Sequence, residues 1–116
     1  MARYYSYKGC GTCRNAKKWL AENAVDVEEL AIRETPPTVE ELKFALQSGY
    51  TLKALFNSSG RDYRELGLKD LLPSLNESEA LEVLHSRGNL VKRPFLVSDK
   101  GALVGFKQTE WEQFFL

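Results

Sequence analysis

The sequence has no excess of charge of either sign. Its 116 residues include sixteen basic and sixteen acidic side chains, which give a formal net charge of zero. A balanced total charge provides no general attraction to nucleic acid or to an anionic membrane surface. We therefore expect no direct nucleic-acid partner, and any anion-binding site must come from a local group of residues.

The chain also lacks a long hydrophobic run. A membrane-spanning helix needs about 20 apolar residues, and the opening residues "MARYYSYKG" lack the apolar core of a secretion signal. The sequence therefore predicts a cytoplasmic protein without a membrane partner. We expect one domain over residues 1–116, because dividing a chain of this length would leave neither part with a sufficient core.

Cysteine and histidine are scarce. The chain has only Cys10, Cys13 and a single histidine, His85, whereas a closed zinc site needs about four ligands. We therefore expect no metal and no bound cofactor. In the cytosol, where thiols are kept reduced, a close cysteine pair indicates redox chemistry before structural cross-linking. An inert buried pair is the alternative.

Hydrophobic patterning predicts a βαβ unit at the start of the chain. The stretch "ARYYSY" alternates like a strand, and the spacing of Ala16, Trp19 and Leu20 predicts a helix over residues 12–23. A second strand, "VDVEELAI", must lie parallel to the first because a helix intervenes. The next segment, about residues 36–88, reads as a helical insert.

Two capping signatures mark helices within this insert. Thr38 with Glu41 and Asn76 with Glu79 each place a capping residue three positions before a glutamate. Gly49 closes the first predicted helix, and the second runs to a stop at Gly88. Both helices should therefore have defined starts and ends.

The end of the chain predicts a ββα unit. In "PFLVSDKGALVGF" two apolar runs flank a turn that contains glycine, which is typical of a β-hairpin. Thr109 and Glu112 predict the start of a final helix, whose Trp111, Phe114 and Phe115 should dock on the sheet. The element order predicts an α/β fold: βαβ, helical insert, ββα.

The cysteine pair falls at the turn between the first strand and the first helix. At a helix start, unpaired backbone N–H groups and the positive end of the dipole favour thiolate over thiol, which makes Cys10 the expected nucleophile. Cys13, one helical turn further on, is placed to resolve a mixed disulfide on Cys10. The alternative for Cys13 is a structural role as a small residue of the core. Lys8 and Arg14 add local positive charge.

A proline immediately before a predicted strand gives a second clue. In "NLVKRPFLV", Pro94 lacks an N–H group and so fits an edge or the first position of a strand. A cis bond at Arg93–Pro94 would direct the Arg93 carbonyl and side chain towards the cysteine turn. An ordinary trans proline is the commoner alternative.

Three other polar residues receive structural interpretations. His85, near the end of a predicted helix, should interact with the last carbonyls of that helix. Arg61 and Arg64 should be solvated or paired with nearby acids on a short exposed helix. We expect none of the three to act in a functional site.

Four stretches together resemble one known family. "CGTCRNAKKWL", "ALFNSSGRDYRELGL", "LVKRPFLV" and "GALVGF" are similar to the ArsC-like group of the thioredoxin superfamily. That group includes glutathione-coupled arsenate reductases, YffB-type proteins thought to be glutathione-dependent thiol reductases, and Spx-type transcriptional regulators. The resemblance implies a thioredoxin-like fold with a four-stranded mixed sheet, interrupted by the helical insert.

The resemblance also implies roles for individual residues. Cys10 matches the family's catalytic cysteine, and Arg14 matches the arginine of C-x-x-x-R that stabilises the thiolate and binds oxyanion. Arg93 matches the arginine of the R-P motif, and Pro94 matches its cis-proline. With Cys13 as the second cysteine, the expected catalytic residues are Cys10, Cys13 and Arg14.

Three positions depart from the arsenate reductases of this group. Ser6 stands where those enzymes have a histidine, Asn57 stands where they have an arginine, and Lys107 replaces their third arginine. Lysine keeps the charge but loses the bidentate fork that suits an oxyanion. These departures weigh against arsenate as substrate. The expected substrate-binding residues are Arg93, Pro94, Lys107 and Asn57.

The sequence therefore predicts a thiol–disulfide oxidoreductase of the ArsC-like type. The expected co-substrate is glutathione, or else a small redox protein. The alternative is an Spx-like redox sensor that binds RNA polymerase, and a weaker one is an arsenate reductase. The "ALFNSSG" motif and the chain's ending favour the YffB type, whereas the C-x-x-C pair resembles Spx.

Overall fold

The computed structural model describes residues 1–116 and contains one four-stranded mixed sheet. The strands are β1 (Ala2–Ser6), β2 (Val27–Ala31), β3 (Phe95–Ser98) and β4 (Gly101–Val104), in the order β2-β1-β3-β4. β1 pairs in parallel with β2 and antiparallel with β3, which pairs antiparallel with β4. The expected sheet and the parallel first pair are thus confirmed.

Six α-helices accompany the sheet. Helix α1 joins β1 to β2, helices α2 to α5 form the insert between β2 and β3, and helix α6 ends the chain. The bounds are α1 Gly11–Glu22, α2 Val39–Gln47, α3 Arg61–Glu65, α4 Leu68–Leu71, α5 Glu77–Ser86 and α6 Gln108–Phe115, with 3-10 turns at Lys53–Leu55, Leu72–Ser74 and Gly88–Leu90. None of these helices has the length and apolar character needed to cross a membrane.

The sheet separates two hydrophobic clusters because neighbouring residues of a strand point to opposite faces. Tyr4 lies in the cluster of α1 and α6, where its ring makes an edge contact with Trp111. Tyr5 lies in the cluster of the insert, against Phe95. Trp111 is fully buried, and its indole N–H donates to the Gly105 carbonyl at 3.1 Å. Helices therefore cover both faces of the sheet, as the α/β class requires.

Both capping boxes of the insert are confirmed. The Thr38 hydroxyl accepts the Glu41 N–H at 3.1 Å while the Glu41 carboxylate accepts the Thr38 N–H at 2.9 Å. Asn76 and Glu79 exchange the same pair of hydrogen bonds. Each box satisfies two otherwise unpaired backbone donors. The insert thus begins its two longer helices where the sequence indicates.

The predicted cap of the last helix is wrong. Helix α6 begins at Gln108, one residue before Thr109, and its capping residue Lys107 makes no side-chain hydrogen bond to the helix. Gln108 Nε2 instead donates to Glu112 Oε2 at 3.3 Å. Packing of Trp111 in the core fixes the position of α6 more strongly than a solvent-exposed cap would.

The expected role of His85 is also wrong. His85 lies in the last turn of α5, but its Nδ1 is 2.9 Å from the carbonyl oxygen of Pro37, in the segment before α2, rather than bonded to the last carbonyls of its own helix. The contact joins α5 to the start of α2 over 48 positions of sequence. A long-range contact of this kind leaves no signal in the local sequence.

Strand directions bring three loops to one edge of the sheet. Because β1 and β2 are parallel, their last residues meet at the same edge, and antiparallel β3 begins there. Tyr7 follows β1, Arg33 lies just beyond β2, and Arg93 precedes β3. The Arg93–Pro94 peptide bond is cis, as the resemblance implies. Cys10 follows Tyr7 on the same edge, so the fold places Cys10 and Arg93 at the same end of the sheet.

Candidate redox site

Cys10 is the capping residue at the N-terminus of α1. Its Sγ accepts the backbone N–H of Cys13 at 3.1 Å, and its own N–H donates to the Tyr7 carbonyl at 3.0 Å. The side chain is half-buried, and both cysteines are free thiols. A donated N–H and the positive end of a 12-residue helix both stabilise negative charge on this sulfur. The predicted position at the strand-to-helix turn is confirmed.

Cys13 lies against the core one turn into α1, with 3% of its surface exposed. Burial, followed by a hydrogen bond with the Cys10 side chain, raises the pKa of the Cys13 thiol to about 12. The positive charge of Arg93 opposes this rise only weakly. At neutral pH Cys13 therefore keeps its proton while it touches Cys10. The two cysteines have different environments, which suits different roles in thiol exchange.

This difference predicts selective alkylation. Relative to the ordinary value of 9.0, a pKa of about 12 lowers the thiolate fraction of Cys13 at neutral pH about a thousandfold. Iodoacetamide should modify Cys10 in the native reduced protein and leave Cys13 unmodified, as measured by peptide mass spectrometry over time. Raising the pH from 7 towards 10 should increase the Cys13 rate throughout that range, because its thiolate fraction is still rising.

The alkylation experiment has an internal control. In denaturant both cysteines lose their folded environment, so they should react at similar rates. Equal rates in the native protein, or faster reaction at Cys13, would contradict the assignment of the two environments.

Arg14 is exposed and bends back over the cysteine turn. Its Nη1 donates to the carbonyl oxygen of Lys8 at 2.9 Å, and its Nη2 lies close to Gly11. The contact fixes the loop that carries Cys10 between β1 and α1. Arg14 thus places one positive charge against the cysteine turn, while the side chain of Lys8 is exposed to solvent.

A stack of one aromatic ring and two guanidinium groups lies beside the cysteines. The guanidinium carbon of Arg33 lies 3.8 Å from the centroid of the Tyr7 ring, and that of Arg93 lies 5.3 Å from it. Such contacts are attractive because the face of an aromatic ring is negative. Gly9 is needed here, since a Cβ at this position would come within 2.6 Å of the Tyr7 ring.

A polar cavity of about 370 Å³ opens next to this stack. Arg33, Arg61, Arg93, Asn57 and Asn89 line it together with one acid, Asp62, and no hydrophobic residue contributes. The predicted substrate-binding residues Arg93 and Asn57 are therefore brought together. Arg61 is exposed to solvent, as predicted, but it also lines the cavity.

Backbone pairing holds the Asn57 side of the cavity in place. The Asn57 N–H donates to the Leu90 carbonyl at 2.7 Å, and the Lys92 N–H donates to the Leu55 carbonyl at 2.8 Å. Asn57 Nδ2 also lies 3.4 Å from the Asn89 carbonyl oxygen. The "ALFN" segment is thus joined to the chain that leads into Arg93.

The other two predicted substrate-binding residues lie apart from the cavity lining. Pro94 is buried, and its carbonyl accepts the Gly105 N–H at 2.8 Å. Lys107 is exposed and lines a different cavity of about 490 Å³ with Lys53 and Lys92. Lys107 therefore does not share one pocket with Arg93.

Ser6 occupies the position where arsenate reductases of the resembled group have a histidine. Its hydroxyl donates to Glu29 Oε2 at 2.8 Å, and Glu29 Oε1 lies 2.8 Å from Lys17 Nζ. The hydrogen bond from Lys17, aided by that from Ser6, holds the pKa of Glu29 below its usual range. The position thus belongs to an ion-pair network that joins β1, β2 and α1.

The sequence interpretation missed Tyr7, Arg33 and Asn89. The available signal for Tyr7 and Arg33 is that each closely follows the end of a predicted parallel strand, where functional side chains meet. Asn89 comes from the short turn after α5 and carries no comparable signal. Nowhere do three or more histidine, cysteine, aspartate or glutamate side chains come together to hold a metal ion.

Comparisons with known proteins identify relatives over nearly the full chain. The model of the ArsC family matches residues 5–114. YusI of Bacillus subtilis (strain 168), an uncharacterised protein, is 48% identical over 111 residues, which are 95% of this chain and 94% of YusI. The global transcriptional regulator Spx 2 of Bacillus anthracis is 31% identical over 117 residues, covering 98% of this chain and 86% of the regulator.

Solved structures show the same fold. An ArsC-family-related protein from Bacteroides fragilis superposes with a TM-score of 0.91 at 43% identity, covering 97% of this chain and 95% of the other. A possible arsenate reductase from Streptococcus mutans UA159 superposes with a TM-score of 0.90 at 38% identity, covering 99% and 98%. The relatives thus include proteins named as regulators and as reductases.

Proposed function

This chain belongs to the ArsC family, and on that premise we propose that it is a cytoplasmic thiol–disulfide oxidoreductase with Cys10 and Cys13 as its redox centre. The observation that carries the proposal is the unequal pair at the start of α1. Cys10 Sγ receives a backbone N–H at the helix terminus, whereas Cys13 is buried and protonated. An accessible sulfur that accepts a backbone N–H at a helix terminus, next to a buried thiol with a raised pKa, suits thiol exchange.

The reaction begins with attack by the Cys10 thiolate on a sulfur of an oxidised substrate. A bond forms between Cys10 Sγ and that sulfur, the substrate S–S bond breaks, and the leaving sulfur takes a proton from solvent. Cys13 then loses its proton and attacks Cys10 Sγ, which releases the second substrate thiol and forms the Cys10–Cys13 disulfide. The protein loses two electrons and the substrate disulfide gains them.

Glutathione is the proposed reductant of the resulting disulfide. One glutathione thiolate attacks Cys10 Sγ and frees Cys13, and a second glutathione attacks the mixed disulfide to give oxidised glutathione and the Cys10 thiolate. Two thiols thus supply the two electrons. In this scheme Arg14 and Arg93 stabilise negative charge on the exchanging sulfurs.

The test is equilibration of the protein in glutathione buffers of defined ratio. We expect a reversible Cys10–Cys13 disulfide, quantified by mass spectrometry after acid quenching, with a midpoint inside the range of cytosolic glutathione buffers, roughly −200 to −300 mV. The Cys13→Ser variant is the control, since it can form only a mixed disulfide. Absence of the intramolecular disulfide at every ratio would contradict the proposal.

A second candidate function is a redox-sensing regulator that binds RNA polymerase. The observation in its favour is the 31% identity to the regulator Spx 2 of Bacillus anthracis over nearly the whole chain. Affinity capture with the reduced and the oxidised protein separates the two functions. Retention of RNA polymerase by one redox state alone would favour the regulator, and retention by neither would favour the oxidoreductase.

An arsenate reductase is the weakest candidate, supported by the possible arsenate reductase of Streptococcus mutans among the structural relatives. Ser6 is engaged with Glu29, Asn57 is uncharged, and Lys107 lines a different cavity from Arg93. Arsenate-dependent oxidation of glutathione by the protein would be needed to support it.

A further inference from the structure

We propose that the polar cavity beside the cysteines recognises a carboxylate of the low-molecular-weight thiol that reduces the protein. The inference rests on the proposed function and deepens it, because it assigns a binding site for the reductant. The residues that carry it are Arg33, Arg61 and Asn89, in addition to Arg93 and Asn57.

The cavity has an excess of positive charge. Three guanidinium groups line it against the single carboxylate of Asp62, and Asp62 itself lies 3.9 Å from Arg87, which is outside the lining. None of Arg33, Arg61 and Arg93 forms an ion pair within the protein. Guanidinium groups bind carboxylates through two parallel N–H donors. A small ligand with a free carboxylate therefore fits the cavity better than an apolar or cationic one.

Two of the arginines are already held in position. Arg33 Nε donates to Asn89 Oδ1 at 2.6 Å, and the central carbon of the same guanidinium lies 3.8 Å from the centroid of the Tyr7 ring. Arg93 contacts the same ring. These contacts leave the terminal nitrogens of Arg33 without a partner in the protein. A pre-positioned guanidinium loses less side-chain freedom when a carboxylate binds.

The cavity is joined to the redox pair through Tyr7 and Arg93. The carbonyl of Tyr7 accepts the N–H of Cys10, so the ring that supports both arginines belongs to the loop that carries the nucleophile. Arg93 lines the cavity and also acts electrostatically on Cys13. A thiol held in the cavity by its carboxylate is therefore bound at the same end of the sheet as Cys10.

The electron balance is that of the proposed reduction. The bound thiolate forms a bond to Cys10 Sγ, the Cys10–Cys13 bond breaks, and Cys13 takes a proton. A second molecule of the same thiol attacks the first one's sulfur, which yields its disulfide and the free Cys10 thiolate. The carboxylate takes no part in the chemistry and serves only to position the thiol.

The test uses S-methylglutathione, a thioether that has the carboxylates but cannot exchange disulfides. Isothermal titration calorimetry on the reduced protein gives its dissociation constant. A lost hydrogen bond to a charged group corresponds to about a tenfold weaker affinity or more, so we expect that effect for Arg33→Gln and for Arg61→Gln. Arg64→Gln is the matched control, because Arg64 is exposed on the same helix as Arg61 and does not line the cavity.

A conservative variant, an esterified ligand and a kinetic measurement serve as controls for loss of fold and for a general effect of charge. Arg33→Lys keeps the charge without the fork and should bind at an intermediate strength. The dimethyl ester of S-methylglutathione should bind at least about tenfold more weakly than the free acid. In steady-state turnover with glutathione, Arg33→Gln should raise KM and leave kcat unchanged, as expected for a group that only binds.

Several outcomes would overturn the inference. One is an equal affinity of the wild type, Arg33→Gln and Arg61→Gln for S-methylglutathione, or no binding by the wild type at all. Another is a loss of affinity in Arg64→Gln as large as in the two cavity variants. A third is an equal affinity of the wild type for the free acid and for its dimethyl ester. The binding assay involves no electron transfer. If the calorimetry gives one of these outcomes while the Cys10–Cys13 disulfide forms reversibly in glutathione buffers, only the carboxylate site is rejected. If that disulfide does not form, the proposed function is rejected.

Discussion

Replacing Cys10 with serine is expected to abolish disulfide reduction, with a loss of roughly a thousandfold or more in kcat/KM, because a hydroxyl at neutral pH supplies no comparable nucleophile. Every proposed step forms or breaks a bond at Cys10 Sγ. The measurement is turnover of a small disulfide such as hydroxyethyl disulfide with glutathione, followed through a coupled reductase.

The same variant should remain folded. Serine is a preferred helix-capping residue, so it can replace Sγ as acceptor of the Cys13 N–H at the start of α1. Circular dichroism and a thermal unfolding curve provide that control. Full activity in folded Cys10→Ser protein would contradict the mechanism, since it would place the chemistry elsewhere.

Replacing Cys13 with serine is expected to convert a transient mixed disulfide into a stable adduct. Without the second thiol nothing in the protein resolves the bond between Cys10 and the substrate. We expect close to one adduct per protein after mixing with the disulfide substrate, seen by intact mass under acid quench. The wild type should instead accumulate the intramolecular disulfide.

Addition of glutathione distinguishes two ways of resolving the adduct. If glutathione attacks the mixed disulfide directly, Cys13→Ser should keep turnover with glutathione while it loses the intramolecular route. The Cys10→Ser variant is the matched control and should form no adduct on the same timescale. Failure of the Cys13→Ser protein to form an adduct with substrates that the wild type reduces would contradict the assigned roles.

Much of the fold follows from local patterns in the sequence. The 3.6-residue spacing of Ala16, Trp19 and Leu20 places α1, and the boxes of Thr38 and Asn76 start α2 and α5. These signals are strong because each depends on neighbours within a few positions. The start of α6 is missed because the packing of Trp111 determines it, and packing is not a local property.

The candidate site is predictable only in part for the same reason. The cysteine spacing and the R-P motif indicate Cys10, Cys13 and Arg93 as candidate site residues, because the residues of each motif lie within a few positions of one another. Arg33 and Asn89 are 56 positions apart, and their hydrogen bond depends on strand order and loop path. Sequence spacing indicates the chemistry of the pair, while sheet topology assembles the cavity beside it.

Unequal surroundings of the two sulfurs are central to the proposed mechanism. Cys10 lies at a helix terminus with access to solvent, and Cys13 lies 3% exposed against the core. Because burial raises the pKa of the Cys13 thiol to about 12, the proposed mechanism has Cys10 attack first. In that mechanism the accessible Cys10 sulfur attacks the substrate, and Cys13, whose backbone N–H already donates to Cys10 Sγ, resolves the mixed disulfide.

Transfer of two electrons from the cysteine pair to a disulfide is measured most directly in a single-turnover experiment with the fully reduced wild-type protein and a limiting disulfide substrate, without glutathione. Intact mass and peptide mapping count the disulfide formed in the protein, and chromatography counts the substrate thiols released. The proposed mechanism gives one Cys10–Cys13 disulfide for each substrate disulfide reduced to two thiols. Substrate left unreduced, or reduced without formation of that disulfide, would contradict it.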